Sequence, residues 1–477
     1  MQKSIKKLGI LFIILAMALV FNLSYLQVFG QEKLVENPAN TRRLIEEYGI
    51  ARGRIITADG LVVAESVKAE EPFEYKRSYP GGSLLSHIVG YDSPQFGRSG
   101  LEEYYNDYLL GRKPPRGWVE EMTSDLEQGN DLTITIDSEV QAAAAQALGR
   151  QKGAVIAMDP KTGGVLAMYS WPTFDPNALV SQERDAEGDL AADAAMLSYI
   201  QDPASPLLNR ASMGLYAPGS SFKVVTASAG IESGFPPATT YNCPGVWPVG
   251  GSQVTNYGDP PTDFGVQNMD QALTRSINTY FAQLATDMGA EALVGYAERF
   301  GMNGIPPLDY PALAASSIPQ PGQMDAVDLA WSGAGQAELL MTPLQLCLVG
   351  CALANDGKTM LPHLMKDIRR EDNILERFGA GEWRSPISPE TAGEVLEMMV
   401  HVVESGTGTE AAIPGVTVAG KTGTAEVEGK PPHTWFLGIA PAENPTVVVA
   451  VVVENSGGSG GAVAAPIARD VLEAALK

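Results

Sequence analysis

The pattern of apolar and polar positions divides the chain into three stretches. Lys3, Lys6 and Lys7 precede an unbroken apolar run from Leu8 to Phe21, continued more loosely by Leu23, Tyr25, Leu26, Val28 and Phe29. Asn22, Ser24 and Gln27 interrupt its far end, and the small-x-small triplet Ala16-Met17-Ala18 lies inside the run rather than after it. Such a run is an export signal or an anchor, and the misplaced triplet favours an uncleaved anchor over residues 1–30. Its lysines then stay cytoplasmic, and everything after Gln31 lies outside the cytoplasm.

Residues 31–150 alternate short patterns. Asn37-Pro38-Ala39-Asn40 is a turn into a short helix, and Ile55-Ile56, Asp59-Gly60 and Leu61-Val62-Val63 read as a hairpin. A helix starts at Gly100-Leu101-Glu102, Leu132–Asp137 reads as a strand, and Ser138–Leu148 is an alanine-rich helix. Arg52 and Arg54 read as structural or solvated charges.

A new pattern begins near Gly153. Ala154–Met158 is an apolar strand, Asp159–Gly164 a turn and Val165–Met168 the returning strand. Residues 171–212 are polar and read as a long surface excursion. Ser220–Gly234 then reads as a helix that is small or apolar nearly all round, and Asp270–Met288 as a second helix. Thr342-Pro343-Leu344-Gln345 is a helix start with a capping box and proline at the first helical position. Val447–Val453 is apolar throughout, as a central strand requires, and Pro466–Lys477 closes the chain as a helix.

Composition narrows the function classes. A net charge of −23 excludes a nucleic-acid partner, which needs a basic footprint. The 3 cysteines show neither a disulfide framework nor zinc spacing, and Cys347 and Cys351, one turn apart in an apolar helix, read as core residues. The 4 histidines form no metal motif.

The chemistry concentrates in Tyr216-Ala217-Pro218-Gly219-Ser220-Ser221-Phe222-Lys223. An i, i+3 spacing puts Ser220 and Lys223 on one helical face, whereas Ser221 points elsewhere. A serine hydroxyl needs a base to become a nucleophile, and burial makes a lysine amine neutral enough to serve. S-x-x-K alone is weak, since Ser4 and Lys7 match it too. Ser276-Ile277-Asn278 adds a hydroxyl and an amide within a helical pattern. Lys421-Thr422-Gly423-Thr424 adds a cation and two hydroxyls on one strand face, with Gly423 allowing close approach. Lys161-Thr162-Gly163 repeats that tripeptide in a tight turn and is given no role. Gly415–Thr422 also matches the phosphate-binding loop G-x-x-x-x-G-K-[ST]. Its context is wrong, because strand-type Val416 and Val418 sit inside the loop and no helix follows.

Three motifs in this order, S-x-x-K, S-x-N and K-T-G, resemble the active-site set of the penicillin-binding protein transpeptidases. Gly153–Pro160, Met341-Thr342-Pro343-Leu344-Gln345, Ala354–Gly357 and Trp435–Gly438 also match. The short stretch between anchor and catalytic region leaves no room for a glycosyltransferase domain. The chain therefore resembles the monofunctional class B type. That resemblance implies an α/β (α+β) fold, an antiparallel sheet flanked by helices, shared with serine β-lactamases. It also implies a pedestal over residues 31–150 and a transpeptidase domain over residues 151–477.

The roles implied by the resemblance are specific. Ser220 attacks the D-Ala-D-Ala bond of a peptidoglycan stem peptide and Lys223 takes its proton. Ser276 relays a proton, Asn278 and Lys421 hold it and the substrate, and Thr422, Gly423 and Thr424 bind the terminal carboxylate side. Backbone N–H groups of Ser220 and Thr424 form the oxyanion hole. No metal or organic cofactor is implied. β-Lactams are expected as inhibitors and a polytopic membrane lipid-II glycosyltransferase as a partner. The rival expectations are a D,D-carboxypeptidase or β-lactamase, which uses water as the acceptor, and a non-catalytic β-lactam sensor or partner.

Overall fold

The apolar run Val447–Val453 sorts its residues between two cores. Val448, Ala450 and Val452 join one hydrophobic cluster, and Val447, Val449, Val451 and Val453 join another on the opposite side of the sheet. Side chains alternate along a strand, so a strand covered on both faces must be apolar at every position. Each buried valine contributes about 1.5–3 kcal/mol relative to exposure.

The computed structural model describes residues 41–69, 71–113, 128–184 and 188–477, with scattered helical positions between 6 and 19. Among the described residues no helix is long and apolar enough to cross a membrane. Most of the expected anchor over residues 1–30 lies outside them.

The strands of the two main sheets are β1 (Ile55–Ile56), β2 (Val62–Lys68), β3 (Tyr75–Ser78), β4 (Asp131–Ile134), β5 (Gly153–Met158), β6 (Val165–Trp171), β7 (Met365–Arg370), β8 (Asn373–Arg377), β9 (Ala419–Val427), β10 (Lys430–Ala440) and β11 (Val447–Val453). The helices that position the site are α1 (Ser138–Leu148), α2 (Lys223–Glu232), α3 (Met269–Thr274), α4 (Asn278–Met288), α5 (Pro343–Ala354), α6 (Pro389–Glu404) and α7 (Gly460–Ala475). One sheet is five-stranded and antiparallel, in the order β9-β10-β11-β5-β6. Helices α1 and α7 cover one face, and α5 lies against the other. All of α5 is buried, Cys347 and Cys351 included, which explains a helix that is apolar all round.

The second sheet is six-stranded, in the order β8-β7-β4-β1-β2-β3. Its β7–β8 hairpin comes from far along the chain and pairs with β4. Asp309 fixes that junction, accepting from the N–H groups of Leu364 at 2.6 Å and Met365 at 2.8 Å and from the Tyr105 hydroxyl. Behind this sheet lies an ionic core. Glu102 is fully buried and accepts from Arg52 Nε at 2.6 Å and Arg77 Nε at 2.7 Å. Arg98 bridges Asp92 at 2.7 Å and Glu47 at 2.6 Å. Arg52 is thus structural, as its sequence suggested, and Arg54 pairs with Asp131 at 2.6 Å.

Five expectations need correction. The helix expected from Ser220 is a 3-10 turn, Gly219–Phe222, that becomes α2 only at Lys223. Asp270–Met288 is not one helix: α3 ends at Thr274 and α4 begins at Asn278, with Ser276 in the break at φ +58°. Thr342 accepts from Gln345 N at 3.1 Å, but the Gln345 amide turns away and donates to Phe300 O at 2.7 Å, so only half of the capping box forms. The excursion over residues 171–212 carries helices of its own, at Pro176–Leu179, Ala191–Gln201 and Arg210–Met213. The closing helix starts at Gly460, capped by the side chain of Ser459, and Pro466 lies inside it.

Candidate active site

The Ser220 turn is held where three backbones nearly touch. Gly219 has φ +54°, and a Cβ there would lie 2.6 Å from Thr424 O. A Cβ on Gly423 would meet Pro218 O at 2.8 Å, and one on Gly335 would meet Gly219 O at 1.9 Å. Glycine at these positions lets the turn, the edge strand β9 and the Gly335 loop close on one another. The Trp435 indole N–H donates to Ala217 O at 2.9 Å, and Tyr216 bridges to Met341 through paired backbone bonds at 3.1 Å and 2.8 Å. The Tyr216 hydroxyl donates to Glu454 at 2.7 Å, a carboxylate also held by Arg210 at 2.8 Å.

Lys223 is completely buried. Its Nζ donates to Ser276 O and to Asn278 Oδ1, each at 2.7 Å, and lies 3.5 Å from Ser276 Oγ. Burial, and then the charge of Lys421, hold its amine well below the ordinary lysine range. A neutral amine has two hydrogens and one lone pair. The two short bonds use the hydrogens, which leaves the lone pair as a proton acceptor. Ser220, one turn earlier, is half-buried. Ser221 is fully buried and its hydroxyl donates to Pro218 O at 2.6 Å, so it is committed to the turn.

Lys421 is also completely buried, and burial pushes its amine down to about 7. It donates to Ser276 Oγ at 2.9 Å and to Thr422 O at 3.0 Å. The Ser276 hydroxyl thus lies between the two lysines. Its left-handed backbone, uncommon for a residue other than glycine, aims both its carbonyl and its side chain at Lys223. The Asn278 amide is anchored from behind by donating to Thr255 O at 2.8 Å.

Strand β9 supplies the remaining predicted residues. Because Thr424 O faces Gly219, the Thr424 N–H, which leaves the strand on the same side, also faces the Ser220 turn. The Thr424 side chain is exposed and accepts from Gly460 N at 3.2 Å, and the Thr422 hydroxyl lies 2.6 Å from that of Thr407. Gln336 donates to Thr424 O at 3.4 Å. The structure therefore brings Ser220, Lys223, Ser276, Asn278, Lys421, Thr422, Gly423 and Thr424 to one cleft. The phosphate-loop match fails as its context required, since Lys421 lies in a strand and no helix follows.

Thr407, Gly335 and Gln336 also belong to this site. Sequence reading passes over them because each lies in a loop without periodicity. The weak signals were the glycines of Gly333-Ala334-Gly335-Gln336 and the hydroxyl-rich turn Ser405–Thr409.

A serine one turn before a buried lysine, flanked by a second hydroxyl and a lysine on an edge strand, is the constellation of a serine acyltransferase. The chain belongs to the penicillin-binding protein transpeptidase family: residues 153–473 match the penicillin binding protein transpeptidase domain, and residues 52–132 match the penicillin binding protein A dimerisation domain. It is 35% identical over its whole length to the peptidoglycan D,D-transpeptidase PbpA of Mycolicibacterium smegmatis, covering 99% of that protein. Penicillin-binding protein A from M. tuberculosis, solved as a ceftriaxone acyl-enzyme complex, superposes with a TM-score of 0.84 at 34% identity, over 91% of this chain and 100% of that one. The D,D-transpeptidase domain of a peptidoglycan glycosyltransferase from Eggerthella lenta is 39% identical, with a TM-score of 0.78, over 90% of this chain and 98% of that one. The fold and family are those of the class B, monofunctional type.

Proposed function

We propose that this chain is a peptidoglycan D,D-transpeptidase that crosslinks stem peptides through a serine acyl-enzyme and is acylated by β-lactams. The observation that carries the reading is the hydrogen bonding of Lys223: two short donations to neutral carbonyl oxygens and no carboxylate partner among the described residues.

The Ser220 oxygen attacks the carbonyl carbon between the two D-alanines, and its proton passes to Lys223. Negative charge builds on the carbonyl oxygen and is met by the N–H groups of Ser220 and Thr424. Such donors typically contribute about 10²–10³ in rate. The carbon–nitrogen bond then breaks, and the proton reaches the leaving D-alanine nitrogen through Ser276. Asn278 and Lys421 hold Ser276 and the substrate amide, and Thr422 and Thr424 bind the terminal carboxylate. An amine of a neighbouring stem peptide attacks the acyl-enzyme, forms the crosslink and returns Ser220 to its protonated form.

A chain anchored by residues 1–30, with its N-terminus in the cytoplasm and the rest outside, meets this substrate where it is made. Residues 31–150 serve as a pedestal for the transpeptidase domain over residues 151–477. A polytopic lipid-II glycosyltransferase is the expected partner, because a monofunctional crosslinking enzyme needs another enzyme to polymerise the glycan.

Labelling with a fluorescent penicillin tests the nucleophile: Ser220→Ala loses the label and Ser221→Ala keeps it. Persistent label on Ser220→Ala would overturn the assignment. Incubation with peptidoglycan precursor separates the rivals. Crosslinked dimer is expected. Free D-alanine alone would mean a carboxypeptidase, and no product a sensor.

A further inference from the structure

Two hydroxyls line strand β9, those of Thr422 and Thr424, and each is met by a polar group of another segment. Thr424 Oγ accepts from the backbone N–H of Gly460 at 3.2 Å. A backbone N–H can only donate, so this contact occupies a Thr424 lone pair and leaves the Thr424 hydrogen free to point elsewhere. Gly460 gets this close because it is glycine: a Cβ there would lie 2.4 Å from Gly423 O and 2.5 Å from Trp435 O. Thr422 Oγ lies 2.6 Å from Thr407 Oγ, a hydroxyl pair in which either partner can donate.

Thr407 is itself held in place. Its N–H donates to Thr274 O, the last residue of α3, at 3.3 Å. Its carbonyl lies 2.2 Å from where a Cβ on Gly461 would be. The Ser405–Gly408 turn thus joins the helix before Ser276, the start of α7 and strand β9 at one point.

We propose that Thr407 is a positioning residue for carboxylate recognition: its hydroxyl donates to Thr422, as Gly460 N–H donates to Thr424, so that both strand hydroxyls turn their own hydrogens toward the ligand. A carboxylate is acceptor-only and can use only hydroxyls that donate. Without Thr407, Thr422 keeps its oxygen but loses the bond that fixes its direction. The inference deepens the transpeptidase reading and rests on it.

The test compares acylation by benzylpenicillin, which carries a free carboxylate, with acylation by its methyl ester, which does not. The wild type is expected to react faster with the acid. Thr407→Val is expected to lose about tenfold on the acid, the scale of one hydrogen bond to a charged group, and little on the ester. Thr407→Ser, which keeps the hydroxyl, is expected to restore the difference. Equal losses on acid and ester, or no loss on either, would overturn the role of Thr407. A wild type acylated by neither would overturn the transpeptidase reading, and this inference with it.

Discussion

Arg52 and Arg77 behind the six-stranded sheet are buried almost as deeply as Lys223 and Lys421 in the cleft, yet their surroundings are opposite. The arginines share Glu102, with Asp92 and Glu47 close by. Burial works against the Arg77 charge, but Glu102 overrides it and holds the guanidinium above its ordinary range. The lysines meet carbonyls and hydroxyls instead, and burial lowers both. A buried cation that supports the fold is matched by a carboxylate; one that must accept a proton is left unmatched. Both regions bear the cost of desolvation, but only in the ionic core does a carboxylate offset it.

The largest expected break in this contrast is at Lys223. Lys223→Met should slow acylation by about 10²–10⁴-fold, the usual range for a lost acid–base group, as read by mass spectrometry of the acyl-enzyme. The same substitution should move the thermal midpoint little, because loss of a desolvated amine is offset by leaving Ser276 O and Asn278 Oδ1 without their donor. A lower midpoint would argue that Lys223 supports the fold as the arginines do.

Glu102→Gln should do the reverse. Leaving Arg52 and Arg77 without their carboxylate should cost about 3–5 kcal/mol in denaturant unfolding, while the protein that remains folded is acylated at the wild-type rate.

The two regions should also part company with pH. Lys421 titrates near 7 when folded and near 10.5 when unfolded, so between these values the unfolded chain binds more protons and stability rises with pH. Burial pushes Glu47 up, but Arg98 and Arg112 outweigh it and hold it at about 2 against 4.5 unfolded. Its contribution is present above 4.5 and is lost as pH falls toward 2. Thermal melts across pH should show both slopes, and Lys421→Met should reduce the alkaline one, to which Lys223 also contributes, and leave the acid one unchanged. The smallest effect expected is at Ser221. Ser221→Ala loses one bond within the Ser220 turn and should cost about 1 kcal/mol or less, with acylation nearly intact.

Much of the catalytic half was legible because its signals are local. One helical turn relates Ser220 to Lys223, and an unbroken apolar run placed Val447–Val453 at the centre of a sheet. The break at Ser276 was not legible. Apolar periodicity runs straight through Leu273, Ile277 and Phe281, and nothing nearby announces a residue with positive φ. The six-stranded sheet was equally hidden, since β4 finds β7 across nearly half the chain and short strands carry no pairing code. Thr407 escaped because its meaning lies in one contact with Thr422.

The central claim is that Lys223 is an uncharged amine in the resting enzyme. Titration of ¹³Cε-labelled lysine by NMR, with Lys223→Arg to assign the resonance, tests it directly. The Lys223 signal is expected to titrate well below the ordinary lysine range. A Lys223 signal that titrates near the ordinary lysine value of about 10.4 would contradict it.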